Sequence, residues 1–235
     1  HQAYGGDRLT DAALREIKAT YFGMVSRSDH DFGRVLGALA DRGLEQDTVV
    51  AMFSDHGDYA GDYGLVEKFA VAFEECMLRV PLMLRTPGGT PRECNALCEL
   101  TDLYPTLLET LGLESRHFHF GRSLVPLLNG GPDRHRDAVF AEGGRLPGEE
   151  AFPIKGLPPD SFYGKRVHEL TKYPALLSRA LMIRTNRWKY VYCPGDCDEL
   201  YDMGMDPRET LNLAARPEVA GVIRELRERL LHWMV

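Results

Sequence analysis

The stretch VVAMFSDHGDYAGDYGLVEKF, residues 49–69, decides how this chain is interpreted. Its first five residues, 49–53, are mostly apolar and follow the polar linker LEQDT. A short apolar run bounded by turn signals is typical of a strand that is buried on both faces of a helix-covered sheet. The run ends directly in Ser54-Asp55-His56-Gly57. An acid and an imidazole therefore follow the end of a predicted buried strand.

Asp55 and His56 are candidate metal ligands. Ligands of α/β proteins collect beyond the carboxyl ends of the strands. Asp supplies a hard oxygen and His a borderline nitrogen, and both commonly bind divalent metals. We expect Gly57 to let the backbone turn sharply, so that both side chains face a common cavity. The alternative is a helix cap or a polar loop.

Lys68 lies thirteen residues after Asp55, beyond a loop that contains two glycines. It could pair on the surface with an acid of the same loop, which is the usual fate of a lysine. The candidate acids are Asp58, Asp62 and Glu67. Alternatively, Lys68 reaches towards the metal and neutralises an anionic substrate. A metal and a lysine together suit a tetrahedral oxyanion such as sulfate or phosphate.

The remaining patterns predict an α/β body followed by a small antiparallel part. Residues 7–43 have helical spacing, with Thr10 as a cap and Gly43 at the end. The segment 79–89 predicts a second strand, parallel to the first, and the segment 97–113 predicts a helix that is interrupted at Pro105. Residues 121–160 are predicted to be loops. Residues 180–184 and 188–192 predict a hairpin, extended by DELYDM and followed by an amphipathic terminal helix.

Composition narrows the class of protein. The chain has 235 residues, of which 44% are hydrophobic and 27% charged, with a net charge of -7. No basic run suggests nucleic acid, and no apolar stretch approaches the roughly eighteen residues of a membrane span. We therefore expect neither a nucleic-acid partner nor a membrane partner.

The five cysteines are too few, and odd in number, for a disulfide scaffold. Cys94 and Cys98 lie in a segment that we expect to be helical, and Cys193 and Cys197 bracket a turn. We expect free thiols or one hairpin disulfide. A four-thiolate zinc site is the less favoured alternative, because C-x-x-x-C is a loose spacing for zinc.

Several segments, in order and spacing, resemble the sulfatase branch of the alkaline phosphatase superfamily. They are TVVAMFSDHGDYAGDYG, Lys68, FEECMLRVPLMLRTPG, TDLYPTLLETLGL, GRSLVPLLNG and RTNRWKYVYCPGDCDELYDMGMDPRETLNLA. The resemblance covers nearly all of residues 21–215. It implies that residues 1–177 are the C-terminal part of an alkaline-phosphatase-like α/β catalytic domain, with a mixed or parallel sheet and flanking helices. Residues 178–235 would form a small subdomain with an antiparallel sheet and a terminal helix.

The resemblance also implies a site and an activity. Asp55 and His56 resemble the second pair of metal ligands of the family, and Lys68 resembles the catalytic lysine that binds the sulfate oxygens. The implied metal is calcium, with magnesium or manganese as alternatives. His56 stands where many sulfatases have Asn, which leaves the choice of metal open. The implied activity is that of an arylsulfatase-like sulfuric ester hydrolase, whose substrate is a sulfate ester and whose nucleophile is formylglycine.

Other expected parts of such an enzyme are missing. None of the five cysteines begins the C-x-P-x-R motif that yields formylglycine, and the paired acids near the N-terminus of the family have no counterpart. The chain also begins with HQAYGG rather than Met. We therefore expect the C-terminal half of a sulfatase, whose N-terminal half is its partner and covers an exposed sheet edge. Residues 1–235 alone should show negligible sulfatase activity and weak metal affinity.

Several alternatives stay open. The function could be that of a phosphonate monoester or phosphodiester hydrolase of the same superfamily, or of a metal-binding or assembly module without activity. Glu74, Glu75 and Arg79 could act in acid–base chemistry, although we expect a structural ion pair. His117 and His119 could face a substrate, although we expect a surface role. A homo-oligomer is an open alternative, and the expected location is cytoplasmic, with the periplasm as the alternative.

Overall fold

The computed structural model describes residues 9–69, 71–146, 149, 158, 160, 161, 164, 168 and 177–234. The chain forms two compact units. The first unit comprises His1–Lys18, Gly57–Arg79 and Phe140–Val235, and the second comprises Ala19–His56 and Val80–Val139. The first unit thus joins segments from both predicted domains, and the predicted boundary near residue 178 stays a prediction. Among the described residues, no helix has the length and apolar character needed to cross a membrane.

The long predicted helix near the N-terminus is confirmed. Helix α1 spans Asp11–Asp41, and the hydroxyl of Thr10 accepts a hydrogen bond from the backbone N–H of Ala13 at 3.2 Å. Gly43, with a φ of +65°, follows its end, where a left-handed residue costs least when it is glycine. None of the residues of α1 is buried.

The other helices are shorter. They are α2 (Glu75–Leu78), α3 (Leu103–Thr110), α4 (Val125–Leu128) and α5 (Ala220–Trp233), with 3₁₀ turns at Glu45–Asp47, Asp62–Gly64, Leu100–Asp102 and Pro217–Val219. The predicted interruption of the helix at Pro105 is wrong. Pro105 lies in the first turn of α3, where its missing N–H would have no helical partner. Cys94 and Cys98 lie outside any helix, so the helical interpretation of that segment is wrong.

Two strands of the second unit form their own sheet, and their predicted parallel pairing is wrong. Strand β1 (Val50–Phe53) pairs antiparallel with β2 (Leu82–Arg85), with Phe53 opposite Leu82. Parallel neighbours usually need a crossover helix. The described residues between these strands form no α-helix longer than the four-residue α2. Nor is β1 buried on both faces, because the side chain of Phe53 is 50% exposed.

The first unit contains a four-stranded sheet in the order β3-β4-β5-β6. Strands β4 (Ala180–Arg184) and β5 (Trp188–Tyr192) form the predicted antiparallel hairpin, and β6 (Glu199–Asp202) continues it. Strand β3 (Val139–Gly143) was missed, because it lies within the segment predicted to be loops. Helix α5 packs against β4 and β5. Ile183, Tyr190 and Leu200 are fully buried here.

Candidate functional site

The structure brings Asp55 and His56 together after the end of β1. The imidazole Nε2 of His56 lies 3.5 Å from Oδ2 of Asp55, and the backbone N–H of His56 donates to Oδ1 at 3.0 Å. The hydroxyl of Ser54 donates to the carbonyl of His56 at 2.7 Å, which holds the turn in place. The side chain of Asp55 is 83% exposed and that of His56 is 37% exposed. An oxygen donor and a nitrogen donor are therefore close together and accessible.

Gly57 is needed for a reason other than the one predicted. Its φ lies outside the left-handed region, so the turn does not depend on the conformational freedom of glycine. An added Cβ would instead overlap the carbonyl oxygen of Cys76, and the backbone N–H of Gly57 donates to the carbonyl of Met77 at 2.7 Å. The close approach of two backbone segments requires glycine here.

Asp55 and His56 fit part of a metal site. Calcium prefers six to eight oxygen ligands, so one carboxylate and one imidazole leave most positions to other donors. Among the described residues, no group of three or more His, Cys, Asp and Glu side chains is placed to hold a metal ion. The metal-binding role of the pair stays a prediction.

Lys68 belongs to the first unit, in a tightly folded loop, and its side chain is exposed. Three non-glycine residues of this loop have left-handed backbones, Ala60, Tyr63 and Glu67, with φ of 46°, 55° and 67°. Such conformations cost roughly 1 kcal/mol or more each and concentrate at functional sites. The loop around Lys68 is therefore held in a conformation that its own backbone preferences disfavour.

Tyr59 holds this loop from the inside. Its side chain is 2% exposed, and its hydroxyl donates to the carboxylate of Glu74 at 2.7 Å. Burial, and then the nearby Glu74, raise the pKa of this hydroxyl far above its ordinary value. The backbone N–H of Tyr59 donates to the carbonyl of Glu67 at 3.2 Å, and its ring lies 5.4 Å from that of Phe69. Both sequence neighbours of Lys68 thus contact Tyr59.

Two of the acids considered for Lys68 have other partners. Asp62 pairs with Lys18 at 2.9 Å, and Asp58 accepts the backbone N–H of Ala60 at 2.8 Å. The role of Lys68 towards a substrate stays a prediction.

The expected ion pair near β2 is confirmed for Glu75. Oε1 of Glu75 lies 3.2 Å from Nε of Arg184 and 3.3 Å from Nζ of Lys189. Lys189 also pairs with Glu209 at 2.6 Å. Sequence reasoning missed Lys189 and Glu209, because a lysine in a strand and an acid in a turn look like ordinary surface residues.

The remaining candidates lie elsewhere. The ring of His117 is exposed and stacks on Tyr104 at 5.1 Å, whereas Nδ1 of His119 lies 3.1 Å from the carbonyl of Gly121. Their substrate role stays untested. All five cysteines have free thiols, which confirms the first expectation, and the alternative of one hairpin disulfide is wrong. Burial raises the pKa of the Cys193 thiol to about 11 and that of Cys76 to about 12.

Comparison with known proteins relates the chain to one family. The family described as Sulfatase matches residues 2–113. The multifunctional alkaline phosphatase superfamily protein PehA of Trinickia caryophylli is 30% identical over 240 residues, which cover 99% of this chain and 43% of that protein. The choline-sulfatase of Rhizobium meliloti (strain 1021) is 32% identical over 214 residues, which cover 89% of this chain and 35% of that protein.

Solved structures agree with the sequence comparison. The phosphonate monoester hydrolase of Agrobacterium radiobacter matches with a TM-score of 0.77 and 33% identity, covering 95% of this chain and 42% of that one. The predicted mixed α/β fold class is thereby confirmed. The chain spans about two fifths of the length of the relatives that it matches. By its motifs, its sequence relatives and its fold, the chain is similar to the sulfatases of the alkaline phosphatase superfamily.

Proposed function

We propose that the chain is part of an arylsulfatase-like sulfuric ester hydrolase. The observation that carries the proposal is the convergence of Asp55 and His56, whose donor atoms lie 3.5 Å apart beyond the end of β1. The pair would hold a divalent cation, calcium or alternatively magnesium or manganese. When bound, that cation would supply positive charge for the oxygens of a sulfate ester.

Lys68 would bind the sulfate oxygens. The loop around Lys68 has two features expected of a rigid support. Several of its residues have left-handed backbone conformations, and the buried side chain of Tyr59 packs beneath it. A positioned ammonium group stabilises negative charge better than water does, because it needs no reorganisation during the reaction.

The formylglycine nucleophile and the other metal ligands would come from a further part of the protein. Helix α1 and the sheet β1-β2 support this proposal, because they carry large apolar side chains on their surfaces. Phe22, Val25, Val35, Phe53 and Met83 are each at least 50% exposed. The coverage of about two fifths of the related proteins agrees with an additional segment that packs against these residues.

A phosphonate monoester hydrolase is the second candidate. The likeness to the hydrolase of Agrobacterium radiobacter, at 33% identity, favours it. Sulfate and phosphonate esters both present tetrahedral anions, and the described residues suit either. Assaying both substrate types on the complete protein separates the two candidates.

The test compares Lys68→Ala with Lys18→Ala in the complete protein. Lys18 is a matched control, since it is a lysine of the same unit whose side chain is 45% exposed in an ion pair. We expect Lys68→Ala to reduce turnover of an aryl sulfate about a hundredfold or more, the scale of losing one oxyanion-stabilising group. Lys18→Ala should leave turnover unchanged. An equal rate for Lys68→Ala and the wild type would refute the role of Lys68.

Metal binding is measured by calorimetry on the same protein. His56→Ala should weaken calcium binding, whereas His117→Ala, which changes a histidine of the same unit, should not. Residues 1–235 alone should show weak calcium binding and negligible turnover. Robust turnover by these residues alone would contradict the proposal that the site is completed elsewhere. Inactivity of the complete protein on both esters would favour the non-catalytic module.

A further inference from the structure

Lys189 is a buried cation in the four-stranded sheet β3-β4-β5-β6, which we call the C-terminal sheet. Its side chain on β5 is only 1% exposed. Removing an ammonium group from water costs several kcal/mol unless the charge is compensated. The compensation comes from two carboxylates, Glu209 at 2.6 Å and Glu75 at 3.3 Å. Lys189 thus depends on residues that lie outside its own hairpin.

The register of the hairpin makes this dependence stronger. Arg184 of β4 lies directly opposite Lys189 of β5, which places two cations at cross-strand positions. Like charges directly opposite each other are destabilising. Glu75 pairs with both cations, and Glu209 adds a second negative charge. We call Glu75, Arg184, Lys189 and Glu209 the buried charge cluster, whose two positive and two negative charges balance.

The buried charge cluster ties the sheet to the segment that precedes β2. The carboxylate of Glu209 accepts the backbone N–H of Glu75 at 2.7 Å, at the start of α2. Glu209 has a φ of +54°, a left-handed conformation that is unfavourable for a non-glycine residue. Nearby, the hydroxyl of Tyr63 donates to the carbonyl of Arg208 at 2.7 Å. The turn before residue 210 is therefore attached to α2 through Glu209 and to the Lys68 loop through Arg208.

A continuous path of contacts leads from the cluster to Lys68. Glu74 precedes Glu75 and accepts the hydroxyl of Tyr59 at 2.7 Å. Tyr59 in turn contacts Glu67 through its backbone and Phe69 through its ring. Lys68 lies between these two residues.

We propose that the buried charge cluster is the positioning group for Lys68. It fixes α2 against the C-terminal sheet, and Glu74 and Tyr59 transmit that position to the backbone on both sides of Lys68. The inference rests on the proposed role of Lys68 in binding the substrate anion. Buried ion pairs contribute little net stability compared with apolar packing, so a specific geometry explains the cluster better than stability does.

The test uses Lys189→Met and Glu209→Gln in the complete protein, with Arg227→Met as the control. Arg227 belongs to the same unit and pairs with Asp198 at 2.5 Å, in contact with the hydroxyl of Tyr190 rather than with α2. Glu209→Gln keeps an acceptor for the N–H of Glu75 and serves where Lys189→Met does not fold. Thermal unfolding identifies the variants that are folded at the assay temperature.

Two measurements are made on the folded variants. We expect the cluster variants to lower kcat/KM for an aryl sulfate at least tenfold, because a misplacement of about 1 Å can cost a hundredfold. Combining either variant with Lys68→Ala should add little to the loss from Lys68→Ala alone, since both changes remove the same contribution. Hydrogen exchange at the amide of Tyr59 should become at least tenfold faster. Arg227→Met should change neither quantity.

The outcomes separate this inference from the proposed function. An unchanged exchange rate at Tyr59, or rate losses that add fully to that of Lys68→Ala, would overturn the positioning role alone. An unchanged turnover in Lys68→Ala would overturn the proposed function and this inference with it. Faster exchange together with non-additive rate losses supports both.

Discussion

Helix α1 and the C-terminal sheet both contain many apolar residues, but these residues have opposite surroundings. Helix α1 is 31 residues long and has no buried residue, with Phe22 66% exposed. In the C-terminal sheet, Ile183, Tyr190 and Leu200 are 0% exposed. The sheet is covered by residues of its own unit, including Leu226 and Leu230 of α5. An apolar pattern therefore predicts an element well, but whether that element is covered depends on what packs against it.

The second unit also contains a well-buried part, around α3. Asp102 is 0% exposed and accepts hydrogen bonds from Arg136, from the backbone N–H of Arg122 at 2.7 Å and from that of Glu99 at 2.9 Å. The imidazole Nε2 of His135 lies 3.1 Å from the same carboxylate. The second unit thus combines this well-buried cluster with the exposed apolar side chains of α1 and the sheet β1-β2.

The largest effect that we expect is in the C-terminal sheet. Ile183→Ala should reduce the free energy of unfolding of this chain by about 4 kcal/mol, because it removes a fully buried side chain. Val35→Ala, at a position that is 58% exposed on α1, should change it by less than about 0.5 kcal/mol. Urea titration followed by tryptophan fluorescence and circular dichroism measures both. Equal losses would remove the contrast between the two regions.

A slightly smaller effect is expected at Asp102. Burial alone would raise the pKa of this carboxyl, but the hydrogen bonds from Arg136 and the backbone amides lower it below the ordinary 3.8. A lowered pKa in the folded state stabilises the protein above the unfolded pKa, and that stability is lost as the pH falls through the folded pKa. Asp102→Asn should cost about 3 kcal/mol at neutral pH, because it leaves Arg136 without its buried partner.

Unfolding by urea at pH 7 and at a series of pH values below 4 measures this linkage. The wild type should lose the contribution of Asp102 in that acid range, and Asp102→Asn should lack this part of the pH dependence. Asp137→Asn is the control, since Asp137 is a carboxylate of the same unit whose side chain is 71% exposed. The same acid dependence in the wild type and in Asp102→Asn would contradict the interpretation.

The smallest effect concerns the exposed face of α1. If a further part of the protein covers this face, Val35→Ala should cost about 1–2 kcal/mol in the complete protein. In residues 1–235 alone the same change should cost less than about 0.5 kcal/mol. Arg27→Ala, at a highly exposed position of the same helix, serves as the control in both proteins. A negligible effect of Val35→Ala in the complete protein would show that the face stays open.

The local patterns predicted most elements of the fold. Periodicity, the cap at Thr10 and the glycine at residue 43 were sufficient to predict α1, because these signals act within a few residues. The hairpin β4-β5 was predicted with its correct bounds for the same reason. Strand β3 was missed, since its pairing with β4 lies outside any local pattern.

The candidate site also divides into features that the sequence predicted and features that only the tertiary structure decided. Sequence by itself predicted Asp55, His56 and Lys68 as candidates, because residue type and position after a strand are visible in the sequence. Only the tertiary structure decided that β1 and β2 are antiparallel and that Gly57 is needed for the close approach to Cys76. It also decided that Lys189 is buried between Glu75 and Glu209. These features depend on contacts between residues far apart in the chain, whose distances and burial are set by packing rather than by local preference.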